Sequence, residues 1–151
     1  MSTIQFSAAD AESPATATPS YQPVEQILHD TTLDAHRLGT VGESYASAWL
    51  EHHGWRILDR NWRTRYGEID IVAMTPERDL VFVEVKTRRT TTHGLPQEAV
   101  DQRKQANVRR ASMQWLVDDR HRVTHRSVRF DVIAIIVQNG KSLLEHIPEA
   151  F

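Results

Sequence analysis

Residues 67–88, GEIDIVAMTPERDLVFVEVKTR, constrain the fold of this chain more than any other stretch. Two runs rich in Val, Ile, Leu and Phe flank Thr75-Pro76-Glu77-Arg78-Asp79, which is turn chemistry. The segment therefore reads as two strands, over 68–74 and 80–87, folded back as a hairpin. Glu68, Asp70, Glu84 and Lys86 interrupt these strands. Charge inside an apolar strand is costly unless it is paired or holds an ion.

The register decides which charges meet. With the turn centred on Glu77, Met74 faces Leu80 and Asp70 lies directly across from Glu84. Side chains alternate between faces along a strand. Asp70, Glu84 and Lys86 then share one patch, with Glu68 beside Lys86. The other face carries Ile69, Ile71, Ala73, Val81, Val83 and Val85. A slip of one residue would separate the acids.

The rest of the chain supplies the elements around this hairpin. Thr40 and Glu43 have capping-box spacing, and Val41, Tyr45, Ala48 and Trp49 follow at helical intervals up to Gly54. This predicts a helix over 40–53 with Glu43 in its first turn. A strand is expected over 55–62. After a Thr-rich loop, Pro96 suits the start of a helix running to Val117. Its apolar stripe of Val100, Val108, Ala111 and Trp115 includes one charged member, Lys104. A strand over 128–137, an Asn139-Gly140 turn and a strand over 142–147 complete the chain. The order is helix, three strands, helix, two strands, with a parallel crossover between the third and fourth strands.

Charge is divided unevenly. Residues 1–37 carry five acids and one base, while residues 38–151 carry 17 bases and 15 acids. Ser, Thr, Ala, Pro and Gln dominate residues 1–23, so residues 1–37 read as an acidic, disordered tail before a single domain at 38–151. Within that tail, 24–29 could form one helical turn. There is no cysteine, which excludes disulfides and thiolate metal sites and agrees with a cytoplasmic location. No apolar run is long enough to span a bilayer, and no secretory signal precedes the body.

Two carboxylates facing each other on a sheet repel, and a divalent cation between them converts repulsion into binding. Mg²⁺ takes oxygen ligands and commonly uses one or two carboxylates plus substrate phosphate. Asp70 and Glu84, with a backbone carbonyl such as that of Val85, suit it. Lys86 is placed to stabilise developing negative charge or orient a water. The alternative is an ion-pair network in which Lys86 neutralises the acids, and the residues alone leave both open.

The pattern Asp70, thirteen intervening residues, Glu84-Val85-Lys86 resembles the signature of the PD-(D/E)XK nucleases. The chain is most similar there to the YraN-like family. Gly42-Glu43, Arg60-Asn61-Trp62-Arg63, Gly67-Glu68-Ile69-Asp70, Phe82 to Arg88 and Arg129-Phe130-Asp131-Val132 carry the likeness, over about residues 36–147. Ile69 stands where the signature has Pro. The resemblance implies an α/β fold with a restriction-endonuclease-like core, a central mixed sheet flanked by helices. It implies Mg²⁺- or Mn²⁺-dependent hydrolysis of nucleic-acid phosphodiesters. Asp70 and Glu84 match the metal-binding acids and Lys86 the catalytic lysine. Glu43 matches a first-helix acid that some members, including archaeal Holliday-junction resolvases, add to the metal site.

The expected partner is nucleic acid, DNA ahead of RNA, with branched or damaged DNA as candidate substrates, and paired cuts would call for a homodimer. Arg63, Arg65, Arg88 and Lys104 are the candidate phosphate contacts. Asp131 either supports the site or pairs with Arg129. His121 and His125 have a metal-like spacing but no third ligand. The competing functional reading is a nucleic-acid-binding module that keeps the nuclease fold without cutting.

Overall fold

The computed structural model describes residues 3–6, 22–89 and 100–151. The elements are β1 (Thr3–Phe6), α1 (Gln22–Leu28), α2 (Ala35–His52), β2 (Arg56–Thr64), β3 (Gly67–Met74), β4 (Asp79–Arg88), α3 (Gln102–Val117), β5 (Ser127–Gln138) and β6 (Lys141–Ile147). One six-stranded sheet has the order β1-β6-β5-β4-β3-β2. Strands β4 and β5 run parallel, joined through α3, and the other neighbours are antiparallel. From α2 onward the order is the expected one. The fold is α/β, a mixed sheet between helices, as a restriction-endonuclease-like core requires.

Alternation divides the hydrophobic residues between two layers. Ile71, Ala73, Val81, Val83, Val85, Ile133, Ile135 and Val137 pack beneath Leu38, Tyr45, Ala46, Trp49 and Leu50 of α2. On the other side, Val72, Met74, Leu80 and Phe82 pack beneath Ala111 and Trp115 of α3. The period of two in the strands and of 3.6 in the helices makes these layers meet. Burying each Val, Leu, Ile, Phe or Met side chain of these layers stabilises the fold by roughly 1.5–3 kcal/mol.

The local signals act as expected at several joints. In the β3–β4 turn Thr75 and Asp79 are bridged by backbone and hydroxyl bonds of 3.0 Å. Asn139 and Gly140 both have positive φ, 52° and 69°, which is the two-residue hairpin geometry that favours Asn-Gly. Gly54, at φ 85°, ends α2.

Three boundaries differ from the sequence reading. Helix α2 begins at Ala35, capped by Asp34, whose side chain accepts a 2.8 Å bond from Arg37 N. Thr40 lies inside the helix and donates to His36 O, so Thr40 and Glu43 form no capping box. Helix α3 begins at Gln102, capped by Asp101, which accepts from Lys104 N at 2.8 Å. Pro96 and the Thr-rich loop over 90–95 lie outside the described residues. The fold also reaches into residues 1–37. Strand β1 pairs with the edge of β6, and α1 buries Leu28 against α2. Arg89 donates to the carbonyls of Asp30 and Leu33, fastening the α1–α2 connection to the end of β4. Val24 and Leu33 pack against the same core beside Leu28, and His29 bonds the Ser142 hydroxyl at 2.9 Å, so a few contacts anchor a segment whose composition is polar.

Candidate active site

The site forms where the sheet opens. The β3–β4 register runs from Met74–Leu80 to Ile71–Val83, as the hairpin calculation predicts, whereas β4 stays paired with β5 as far as Arg88–Ile136. Beyond Val83, β4 therefore leaves β3. The Asp70 carboxylate fills the fork, its Oδ2 accepting the Val85 N–H at 2.8 Å. A side chain takes over a bond that the strand ladder would otherwise satisfy. The alternation of β3 breaks at the same point. Ile69, expected beside Ile71 and Ala73, packs on the α3 side with Val72 and Met74.

Glu84 lies across the fork and is only 3% exposed. Its Oε1 receives Lys104 Nζ at 3.0 Å and Lys86 Nζ at 3.7 Å. Its Oε2 is buried with no hydrogen-bond partner. An unsatisfied buried oxygen of this kind costs about 1–3 kcal/mol, and more when it carries charge. Asp70, 4% exposed, is driven up to about 8 by burial and by repulsion from Glu84 and Glu43, against the pull of the Val85 N–H and Lys104. Glu43 is also raised, by burial and by Glu68 and Glu84, while Arg60 and a hydrogen bond with Asp70 oppose the shift. Burial alone would depress Lys104, but Glu84, Asp70 and Glu68 outweigh it and raise the ammonium above its ordinary value.

Gly42 explains how a helical acid reaches the fork. A Cβ at this position would lie 1.8 Å from Thr87 Oγ1 and 2.8 Å from Thr87 Cβ. Only glycine lets α2 approach β4 this closely, and Glu43 follows it in sequence. Sequence reasoning noted Gly42 without this role. It also missed that Lys104 is the nearer lysine to Glu84, although its place as the charged member of an apolar helical stripe was the available signal.

The donors suit a hard cation incompletely coordinated by protein. Among the described residues no three His, Asp or Glu side chains form a group able to hold a metal ion. The carboxylates of Asp70 and Glu84 remain, and Oε2 of Glu84 is buried without a hydrogen-bond partner. Two carboxylates could hold only an ion that keeps most of its shell as water or other ligands.

The other candidates are dispersed. Glu68 pairs with Arg63 at 3.3 Å, directly across the β2–β3 register, in place of the expected Lys86. The bulge in β2 between Ile57 and Asp59 sets that register, and alternation alone could not supply it. Arg65 donates to the Tyr66 hydroxyl at 2.7 Å, and Arg65 and Arg110 both lie over the Tyr66 ring. Arg88 is half-buried at the end of β4. Asp131 is fully buried and accepts from Arg129 Nε at 3.1 Å, His146 Nε2 at 2.7 Å and Glu149 N at 3.1 Å. It ties β5 to β6 and to the C-terminal residues. His121 Nδ1 bonds Trp115 O and His125 Nδ1 bonds Val123 O, so each imidazole has a local structural partner. Asp59, which sequence reading passed over, accepts the Trp115 indole N–H at 3.1 Å.

Residues 42–135 match the uncharacterised protein family UPF0102. The chain belongs to this family. The UPF0102 protein of Bifidobacterium longum strain NCC 2705 is 53% identical over 124 residues, covering 82% of this chain and all of that protein. Those of Trichlorobacter lovleyi and Rhodococcus jostii strain RHA1 are 46% and 44% identical over 115 and 127 residues. They cover 76% and 83% of this chain, and 89% and 100% of the relatives. The UPF0102 match opens at Gly42 and encloses Glu43, Asp70, Glu84, Lys86 and Lys104. No helix of the described residues is long and apolar enough to cross a membrane.

Proposed function

We propose that this UPF0102 protein is a metal-dependent nuclease that hydrolyses phosphodiester bonds in DNA. The observation that carries the reading is the fork. Asp70 and Glu84 converge where β3 parts from β4, Glu84 Oε2 is buried without a partner, and burial and the neighbouring Glu84 raise the Asp70 carboxyl. A fold gains no stability from this arrangement, whereas a cation site needs it.

Asp70, Glu84 and the Val85 carbonyl would hold Mg²⁺ or Mn²⁺, with Glu43 as an outer acid, and the ion would supply Lewis-acid stabilisation of the phosphoryl oxygens. The Val85 N–H fixes the Asp70 carboxylate in its orientation. Lys86, 30% exposed beside Glu84, presents an ammonium to the open side of the fork, where it can orient a water or stabilise charge on the phosphoryl group. Arg65 and Arg110 around Tyr66 supply a cationic and aromatic surface suited to a nucleic-acid backbone and its bases. The site would act in the cytoplasm, and two copies would be required for paired cuts.

The test is cleavage of supercoiled plasmid and of single-stranded, duplex and branched oligonucleotides with Mg²⁺ or Mn²⁺, comparing wild type with Asp70→Ala and Lys86→Ala. The reading expects cutting that EDTA and either substitution abolish. Equal, background-level cutting by all three proteins refutes it.

One observation favours a second reading. Both lysines already contact Glu84 Oε1, so part of the acid charge is neutralised without a metal. A nucleic-acid-binding module without activity would show salt-sensitive DNA binding that survives Asp70→Ala and ignores divalent cations.

A further inference from the structure

Lys104 and Lys86 are unequal partners of Glu84. Lys86 comes from the same strand, two residues on, and stands 3.7 Å from Oε1. Lys104 comes from α3 and stands at 3.0 Å, within hydrogen-bond distance. Its side chain is 34% exposed, so it meets both Glu84 and solvent. Asp101 fixes its backbone by capping α3, which leaves only the side chain free to move. The carboxylate it occupies is the one whose other oxygen has no partner.

We propose that Lys104 is a built-in counter-cation that a divalent metal must displace from Glu84. Building on the metal-site reading above, this adds a role for α3. Without metal, Lys104 is the nearer of the two cations that compensate this buried carboxylate. When metal binds, the lysine leaves Oε1, and its ammonium becomes available on the open side of the fork for substrate phosphate. The exchange leaves the buried Glu84 compensated by a cation in both states. It also makes metal affinity weaker than the bare donor set would give, because each binding event breaks an ion pair.

Isothermal titration of Mn²⁺ into the full-length protein, without substrate, separates this role from a merely structural one. Lys104→Met should bind Mn²⁺ on the order of tenfold tighter than wild type, the equivalent of about 1.4 kcal/mol. Lys104→Arg keeps a cation with a better fork for a carboxylate and should bind Mn²⁺ several-fold more weakly than wild type. Wild type that binds Mn²⁺ no more weakly than Lys104→Met overturns the displacement role and leaves the metal site standing. Absence of Mn²⁺ binding in wild type and both variants overturns both. If Lys104→Met does not fold, Lys104→Arg alone decides, and equal or tighter Mn²⁺ binding than wild type overturns the proposal.

Discussion

Replacing Asp70 with Asn should stabilise the metal-free protein, and the gain should grow with pH. The native carboxyl is raised from 3.8 to about 8, with burial the largest cause and Glu84 the next. In the unfolded chain it ionises near its ordinary value. Between these values the native protein holds a proton that the unfolded chain has released. Stability therefore falls as pH rises through this window and levels off above pH 8. The shift spans about four units, which sets a ceiling on the order of 5 kcal/mol at about 1.4 kcal/mol per unit. Asn keeps the acceptor for the Val85 N–H and removes the charge. Part of the ceiling is lost because the new amide N–H groups must be satisfied by Glu43 or Glu84. A gain of roughly 2–4 kcal/mol above pH 8 remains, worth roughly 10 °C in Tm for a domain of this size. The assay is thermal unfolding in EDTA at pH 5, 7 and 9, with ionic strength fixed. The difference between variant and wild type should be small at pH 5 and largest at pH 9. A difference that is constant across this range, or that shrinks with pH, refutes the assignment of a buried, destabilising carboxyl at the fork.

Gly42→Ala should destabilise by about 1–3 kcal/mol, because the added Cβ overlaps Thr87. Thr87→Ala in the same chain removes Oγ1 but leaves Cβ at 2.8 Å, so denaturant melts should show partial rescue. Asp131→Ala leaves Arg129 and His146 without their buried carboxylate and should cost about 3–5 kcal/mol by urea unfolding. Lys86→Ala should retain Mn²⁺ binding by calorimetry while losing cleavage, since the role proposed for Lys86 is on water and phosphate and not on the ion.

The hairpin was legible because its two constraints are local. Turn chemistry at 75–79 fixes the register, and a period of two then places Asp70 across from Glu84. That logic assumes a continuous ladder, so it missed the fork, the Asp70–Val85 bond and the shift of Ile69 to the other layer. These follow from β4 choosing β5 over β3 beyond Val83, a tertiary competition that no single strand records. The start of α2 was misplaced for a different reason. Thr40 and Glu43 have the spacing of a cap, and Asp34 caps more effectively from outside that window. The pairing of Glu68 with Arg63 depends on the bulge in β2. Lys104 was visible as a charge in an apolar stripe, but its partner became visible only once α3 had a phase and a depth against the sheet.

The proposed role of the fork in divalent-metal binding and phosphodiester cleavage turns on Glu84. Glu84→Gln tests it most directly, because it removes the charge and keeps the shape of the side chain whose Oε2 is orphaned. The measurement is the single-turnover rate of cutting a labelled branched DNA in Mn²⁺, for wild type and Glu84→Gln side by side. Wild type should cut in a metal-dependent manner and the variant should lose at least about 100-fold, the scale expected when a group stabilising transition-state charge is removed. Equal rates in the two proteins, with or without Mn²⁺, would contradict the proposed role.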